Sequence, residues 1–318
     1  MLKNFLTILF LIICSIPAVA QTFNEQLIEA KNGDSSAQLR VGFAYYYGRG
    51  VTEDGLEAYK WYRKAAEQGE ALGQYLMGNA YGHGVGGAPK DFKESFKWYT
   101  KAANQGVSMA QYELGLMCVY GNGTKRDLSK AAEWFRKAAE QNLPEAQYRL
   151  GVAYSAGDGL KQSYDEAFKW FQKSADQGYA KAEWFVGLSY AAGRGVDEDL
   201  VSASKWFNRA ADQGNADAQY ELGNLYAKGK GVGQDLVRAI ALFHEAAEQG
   251  QAKAQYNLGV AYSEGIGVVK DYVEAHKWAN LAAYQLSAPD LRNIIDAKMS
   301  SSEIVEAVKL AREWRPKK

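Results

Sequence analysis

Cysteine, proline, histidine and any excess of charge are what this 318-residue sequence has least of, and each shortage excludes something. Of two cysteines, Cys14 lies in an apolar stretch at the start, so Cys118 stands alone in the remainder and no internal disulfide is expected. Stability must then come from packing rather than from covalent staples. The three histidines, His83, His244 and His276, share no H-x-x-x-H spacing and have no neighbouring cysteine. They give no sign of a metal site, and no cofactor is expected. Basic and acidic residues number 37 each. Zero formal net charge argues against nucleic acid as a partner, because that needs a concentrated positive footprint.

Long apolar runs are also missing, except at the very beginning. MLKNFLTILFLIICSIPAVA has Lys3, an apolar run from Phe5 to Ile16, Pro17, and then Ala18-Val19-Ala20. These are the parts of a secretory signal peptide over residues 1–20, cleaved after Ala20. A membrane span needs about 20 apolar residues, and no later segment supplies them. The expectation is an exported protein, periplasmic or secreted, with no membrane span after cleavage.

What is abundant is glycine, 32 residues or about 10%, against a usual level near 7%. Its spacing explains the excess. Gln38, Gln74, Gln111, Gln147, Glu183, Gln219 and Gln255 lead seven copies of one motif, 36 or 37 residues apart. Each copy has glycine at four, ten and twelve residues after its leading residue. A period of this size marks a solenoid, whose units bury each other's apolar faces.

One unit reads as two helices. In the first, Ala218, Leu222, Gly223 and Tyr226 share a face at helical spacing. A helical glycine costs about 1 kcal/mol against alanine, so its recurrence from Gly42 to Gly259 predicts another backbone packed closely there. The second helix opens on Asp54, Asp91, Asp127, Ser163, Asp199, Asp235 and Asp271, all competent N-caps. Glu57, Glu94, Glu166 and Glu274 follow three residues later and predict capping boxes. Further on come Trp61, Trp98, Trp134, Trp170, Trp206 and Trp278, with Leu242 as the exception, and then a small pair such as Ala65-Ala66. Asn142 closes the third unit where most others end in glycine. Cys118 occupies a slot that is tyrosine in the other six copies, which predicts a buried small hydrophobe.

The pattern A-x-A-Q-x-x-L-G-x-x-Y-x-x-G-x-G-V-x-x-D-x-x-x-A-x-x-W-x-x-x-A-A-x-x-G, seen most fully at Ala216–Gly250, resembles that of Sel1-like repeat proteins, relatives of tetratricopeptide arrays. The resemblance covers about Ala37–Ala283. It implies an all-α fold, an α/α solenoid wound as a right-handed superhelix from antiparallel helix pairs. It also implies adaptor work in signalling, envelope regulation or host contact. The expected organisation is an N-terminal capping half-repeat at 21–35 and repeats at 36–69, 70–106, 107–142, 143–178, 179–214, 215–250 and 251–286. Capping helices would fill 287–318, where Ser300 and Glu303 predict a capping box. One exported branch of the family carries a disulfide in each repeat; this chain lacks those cysteines.

Catalytic motifs are weak. Gly82–Gly87 satisfies G-x-G-x-x-G, but it falls between two helices rather than after a strand. Ser202-Ala-Ser-Lys205 satisfies S-x-x-K without the S-D-N and K-T-G that penicillin-recognising enzymes add. A β-lactam or cell-wall hydrolysing enzyme is therefore not expected.

Binding is the remaining class. Packing favours uniformity from copy to copy, whereas a partner does not, so variable positions on the first helix are the candidates. Two residues after the leading position come Arg40, Leu76, Glu113, Arg149, Phe185, Glu221 and Asn257. Nine after it come Tyr47, His83, Tyr120, Ala156, Ala192, Lys228 and Glu264. These positions lie about 20° apart around a helix. The predicted partner-binding residues are Arg40, Tyr47, Tyr120, Arg149, Phe185, Glu221 and Lys228. The expected function is a monomeric, non-catalytic scaffold for a protein or peptide. The alternative is a carbohydrate or cell-wall binder using the row Tyr75, Tyr112, Tyr148, Trp184, Tyr220 and Tyr256.

Overall fold

The computed structural model describes residues 22–286 and 289–317; segment 1–20 and the cleavage after Ala20 lie outside them. Among the described residues there are seventeen α-helices and no strand. Contacts divide the chain into two compact units that meet in sequence at Gln141 and Asn142. The first holds α1 (Phe23–Lys31), α2 (Ser35–Tyr47), α3 (Gly55–Glu67), α4 (Ala71–His83), α5 (Phe92–Asn104), α6 (Ser108–Tyr120) and α7 (Leu128–Glu140). The second holds α8 (Pro144–Ala156), α9 (Tyr164–Asp176), α10 (Ala180–Ala192), α11 (Leu200–Asp212), α12 (Ala216–Lys228), α13 (Leu236–Glu248), α14 (Ala252–Glu264), α15 (Tyr272–Leu286), α16 (Pro289–Asp296) and α17 (Ser301–Glu313). This is the all-α solenoid that the period predicts.

Asparagine and serine or aspartate caps set the ends of these helices. Asp54, Asp91, Asp127, Ser163, Asp199, Asp235 and Asp271 all accept backbone N–H bonds from the first turn of a second helix. Asn142 adopts φ 68°, the left-handed conformation that glycine holds at the other unit ends. The expected capping boxes are absent from the repeats. Glu57, Glu94, Glu166 and Glu274 turn instead to Lys60, Lys97, Lys169 and Lys277. A lysine three residues on offers each carboxylate a charge that the N-cap N–H cannot match. Among the described residues, complete boxes form at Thr22–Glu25 and Ser300–Glu303, where Ile28 and Glu306 stand in the lysine position.

The recurrent helical glycine faces a ring, not a backbone. A Cβ on Gly42 would lie 2.5 Å from the Tyr62 ring, on Gly78 2.4 Å from Tyr99, and on Gly115 2.4 Å from Phe135. Gly151, Gly187 and Gly223 stand in the same relation to Phe171, Phe207 and Phe243. The ring belongs to the second helix of the same repeat, so this contact closes the helix pair. In the seventh repeat the ring is replaced by Ala279, and Leu291 from α16 comes to 3.1 Å from the Gly259 position. A true close approach of backbones occurs eight residues later. A Cβ on Gly123, Gly195 or Gly231 would fall 2.1–2.2 Å from the carbonyl oxygen of Phe92, Tyr164 or Leu200, on the preceding repeat's second helix.

Buried glutamines join one repeat to the next. Gln38, Gln74, Gln111 and Gln255 donate through Nε2 to the carbonyls of Ala30, Ala66, Ala103 and Ala247, near the C-terminal end of the preceding helix. Those carbonyls lie in the last turn of a helix, which has few intrahelical donors of its own. Gln68, Gln105, Gln141, Gln177 and Gln249 donate in turn to the leading Gln of their own repeat at 2.8–2.9 Å. Glu183 breaks the series because a carboxylate has no donor. Arg209 compensates: it lies 2.8 Å from Glu183 Oε1 and donates to the Ala175 carbonyl at 3.3 Å.

Both ends are closed by the chain itself. Helix α1 offers Ala30 to Gln38 as a preceding repeat would, and Phe23 meets Tyr45 edge-on at 5.5 Å. Helix α17 buries Ala307 and packs Ala311 and Trp314 against the cluster that contains Ala246, Leu258 and Trp278. Lys317 N–H donates to the Glu248 carbonyl at 2.8 Å.

Two stability measurements check this account. In Gly115→Ala the added methyl must displace Phe135, and overpacking of this kind costs about 1–3 kcal/mol; Gly259→Ala, facing a flexible Leu291, should cost less. Arg209→Ala should cost about 2 kcal/mol by leaving a buried carboxylate with the Gln213 amide but no opposite charge. Adding Glu183→Gln should restore most of that loss, because glutamine is what the other six repeats use. Urea midpoints of the four variants read both.

Candidate functional site

A concavity in the first unit lies between repeats one and two. It has a volume of about 230 Å³ and is walled by Tyr46, Tyr59, Tyr62, Leu76, Asn79 and His83, with Val85 and Gly86 from the loop that carries the array's extra residue. The G-x-G-x-x-G segment thus serves as a wall. Gly84 ends α4 in the left-handed conformation, and a Cβ on Gly86 would press on Tyr59 and the Gly55 carbonyl. Burial, then the Tyr81 hydroxyl 3.4 Å away, push Tyr59 up to about 12. It therefore remains a hydrogen-bond donor at neutral pH. Asn79 Oδ1 accepts from Tyr99 at 3.0 Å, while the Tyr62 hydroxyl finds no partner among the described residues. Repeats three to six have Phe where Tyr62 stands, so packing needs the ring and not its hydroxyl.

The variable stripe separates into two environments. Nine residues after the leading position, His83, Tyr120, Ala156, Ala192, Lys228 and Glu264 are exposed at the ends of their helices, and Tyr47 is half-buried. Tyr120 is the most open large ring, at 63%. Tyr47 stands edge-on to Tyr46 at 5.0 Å, with the Arg49 guanidinium 5.2 Å from its ring. Two residues after the leading position, the side chains sit against neighbours. Leu76 is buried. Arg40 pairs with Glu29 of α1 at 2.9 Å. Arg149 lies 5.8 Å from the Tyr148 ring. Phe185 stacks on Phe171 at 4.7 Å and meets Tyr148 at 5.7 Å, so it is part of the second unit's core edge. Burial raises the Glu113 carboxyl, with His83 opposing, and also raises Glu221, with Lys253 opposing. Each unit carries its own portion of the stripe: Arg40, Tyr47 and Tyr120 in the first, Arg149, Phe185, Glu221 and Lys228 in the second.

The row of aromatic residues after each leading Gln is occupied by packing. Tyr75, Tyr112, Tyr148 and Tyr220 lie against Tyr99, Phe135, Phe171 and Phe243 at 5.8–6.1 Å. A sugar-stacking ladder needs open faces, and these rings are buried or half-buried. A different ladder exists on the second helices. Lys64, Lys101, Lys137, Lys173 and Arg209 each lie 4.1–4.3 Å from the ring of the tryptophan three residues before them. The W-x-x-K/R spacing was its sequence signal.

The remaining motif residues have local partners. The Ser202 hydroxyl donates to Asp199 Oδ2 at 2.5 Å, and that bond is the main cause holding the Asp199 carboxyl below its usual range. Cys118 is buried, and burial pushes its thiol up. His244 contacts the Tyr262 hydroxyl at 2.8 Å. His276 lies on α15, the second helix of the seventh repeat. It is buried, with Nε2 2.7 Å from Asp296 Oδ1 and Nδ1 3.1 Å from Asn280, and so ties α15 to the cap helix α16. Among the described residues no cluster of three or more His, Cys, Asp or Glu is placed to hold a metal ion, and no helix is long and apolar enough to cross a membrane.

The repeat's geometry has a family counterpart. The Sel1 repeat family model matches seven times, at 35–70, 71–107, 108–143, 144–179, 180–215, 216–251 and 252–285. The chain belongs to the Sel1 repeat family. Its fold is similar to that of a Sel1 repeat protein from Oxalobacter formigenes, with 38% identity over 86% of this chain and 79% of that one and a TM-score of 0.69. A protective antigen of uropathogenic Escherichia coli with this repeat fold is 25% identical over 92% of this chain and 94% of its own, with a TM-score of 0.49. Among curated proteins, the Arabidopsis thaliana ERAD-associated E3 ubiquitin-protein ligase component HRD3A is 36% identical over 59 residues. That stretch is 18% of this chain and only 9% of HRD3A. Sel1 repeat proteins are generally scaffolds for protein interactions.

In this Sel1 array, the His276 contact gives a pH prediction. Burial lowers the imidazole below its usual 6.5, although Asp296 opposes the shift. The unfolded chain therefore takes up this proton first as pH falls below about 6.5, and stability favouring the docked cap is lost there. Hydrogen exchange in residues 289–313 should accelerate between pH 6.5 and 5 relative to α12. His276→Gln should flatten that difference.

Proposed function

We propose that this chain is an exported, monomeric, non-catalytic scaffold of the cell envelope or its exterior, binding a protein or peptide partner. The leader-like composition of residues 1–20 supports export. The cavity between repeats one and two carries the binding reading. It is apolar, walled by three tyrosines, and holds the Tyr62 hydroxyl, which the repeat's packing does not use. Tyrosine-rich pockets with a few polar groups are where interface anchors seat. Exposed Tyr120 in the first unit and Lys228 in the second are further candidate positions, each in its own unit. HRD3A, similar over 59 residues, is named as a component of a ubiquitin-protein ligase.

Exposed residues allow binding to be tested apart from folding. Tyr120→Ala and His83→Ala should leave the melting temperature nearly unchanged, since surface changes are usually worth within about 0.5 kcal/mol. Each should reduce retention of a partner cross-linked from envelope extract at least about tenfold. Phe185→Ala removes a stacked ring and should cost about 3 kcal/mol of stability. If the two exposed variants leave retention intact, the surface is wrong. Cell fractionation of the full chain, with recovery only in the cytoplasm, would reject export.

A further inference from the structure

The sixth repeat lacks one side chain that every other repeat has, and a cavity stands in its place. Where the others carry Trp on the second helix, α13 carries Leu242, and three residues later Glu245 replaces the Lys or Arg that covers the indole in repeats one to five. In the fourth and fifth repeats Trp206 packs on Ala175, Ala182 and Val186; Leu242 packs on the equivalent Ala211, Ala218 and Leu222 but is smaller. A cavity of about 530 Å³ opens beside Leu242, lined by Ala211, Leu222 and Leu242 and by the carboxylates of Asp212 and Glu245. Arg238 also lines it, but the Arg238 guanidinium lies 4.6 Å from the Tyr226 ring. Two carboxylates against one arginine leave the walls negative.

We propose that this cavity receives the side chain of an arginine from a partner protein. The neighbouring repeat shows the chemistry. There the Glu183 carboxylate is met by the Arg209 guanidinium at 2.8 Å, and that planar group lies 4.3 Å from Trp206. In the sixth repeat the carboxylate is Glu245, which draws the buried Gln219 amide to 2.8 Å, and no residue among the described ones takes the place of Arg209. A guanidinium is flat enough for a slot built for an indole. It pairs with a carboxylate through two parallel bonds, and its alkyl stem suits an apolar floor. Lysine has the charge but not the plane, and tryptophan has the plane but would set its negative face toward Glu245. This site lies outside the tyrosine-walled cavity and does not depend on it.

The test is an amide-shift titration of the full chain with acetyl-Gly-Arg-Gly-amide, following residues 211–214 and 241–245, with the Lys and Trp peptides as comparators. Saturable shifts are expected with the arginine peptide, at least about tenfold weaker with the other two. Glu245→Gln should weaken binding at least about fivefold. Leu242→Trp should abolish it while the melting temperature stays at or above the parent's, so loss of binding is not loss of fold. The proposal is overturned by absent saturation, by equal affinity for the lysine peptide, by preference for the tryptophan peptide, or by arginine binding that survives Leu242→Trp.

Discussion

The contact on which the first six helix pairs depend is an aromatic ring pressed against a helix that has no side chain at that point. Phe135 on Gly115 and Phe171 on Gly151 are typical, with an added Cβ falling 2.4–2.6 Å from the ring. A ring buried this way is worth about 1.5–3 kcal/mol, more than the roughly 1 kcal/mol that a helical glycine costs. The exchange is favourable only while both members are present. In the seventh repeat Ala279 supplies no ring, and α16 delivers Leu291 to the glycine instead. The cap is therefore a substitute for a missing contact as well as a cover for an open end.

Pairs closed by rings are joined into an array by polar bonds. The leading glutamine donates to a carbonyl in the last turn of the preceding helix and accepts from the glutamine that closes its own repeat. Buried amides of this kind stabilise only when satisfied on both sides. That condition explains why Glu183 is accompanied by Arg209: once the donor is lost, a guanidinium must reach Ala175 from another direction. Register is fixed by the glycine whose missing Cβ lets a loop lie on the carbonyl of Phe92, Tyr164 or Leu200.

Much of this was legible in the sequence, because the period multiplies every local signal by seven. Repeat number, N-caps, the buried slot of Cys118 and the Ser300 box all follow from residue types at fixed offsets. The partner of the helical glycine was not legible, since spacing shows that room is needed but not whether a ring or a backbone fills it. Capping boxes were over-read because Glu57 and its equivalents have a lysine competing at the same spacing. The contact of His276 was not legible because Asp296 lies outside the repeat pattern. Of the variable stripe, Tyr120 and Lys228 are open, whereas Arg40 and Phe185 are engaged by Glu29 and Phe171. Variability between copies marks freedom from the repeat's packing rule, and local contacts use that freedom as readily as a partner does.

A solenoid also limits the cost of the departures. Each repeat touches only its neighbours, so stability is close to a sum of local terms. An indole omitted at Leu242 weakens one junction and leaves the ring-on-glycine contact of Phe243 with Gly223 in place. The hydroxyl of Tyr62 sits on a ring that still serves Gly42. In a single globular core, a cavity of several hundred Å³ or an unpartnered buried polar group would draw on the stability of the whole domain. Here the ring and the glycine hold each helix pair together while the slot beside them is free to change. That separation lets one repeated scaffold carry chemically distinct cavities at different positions.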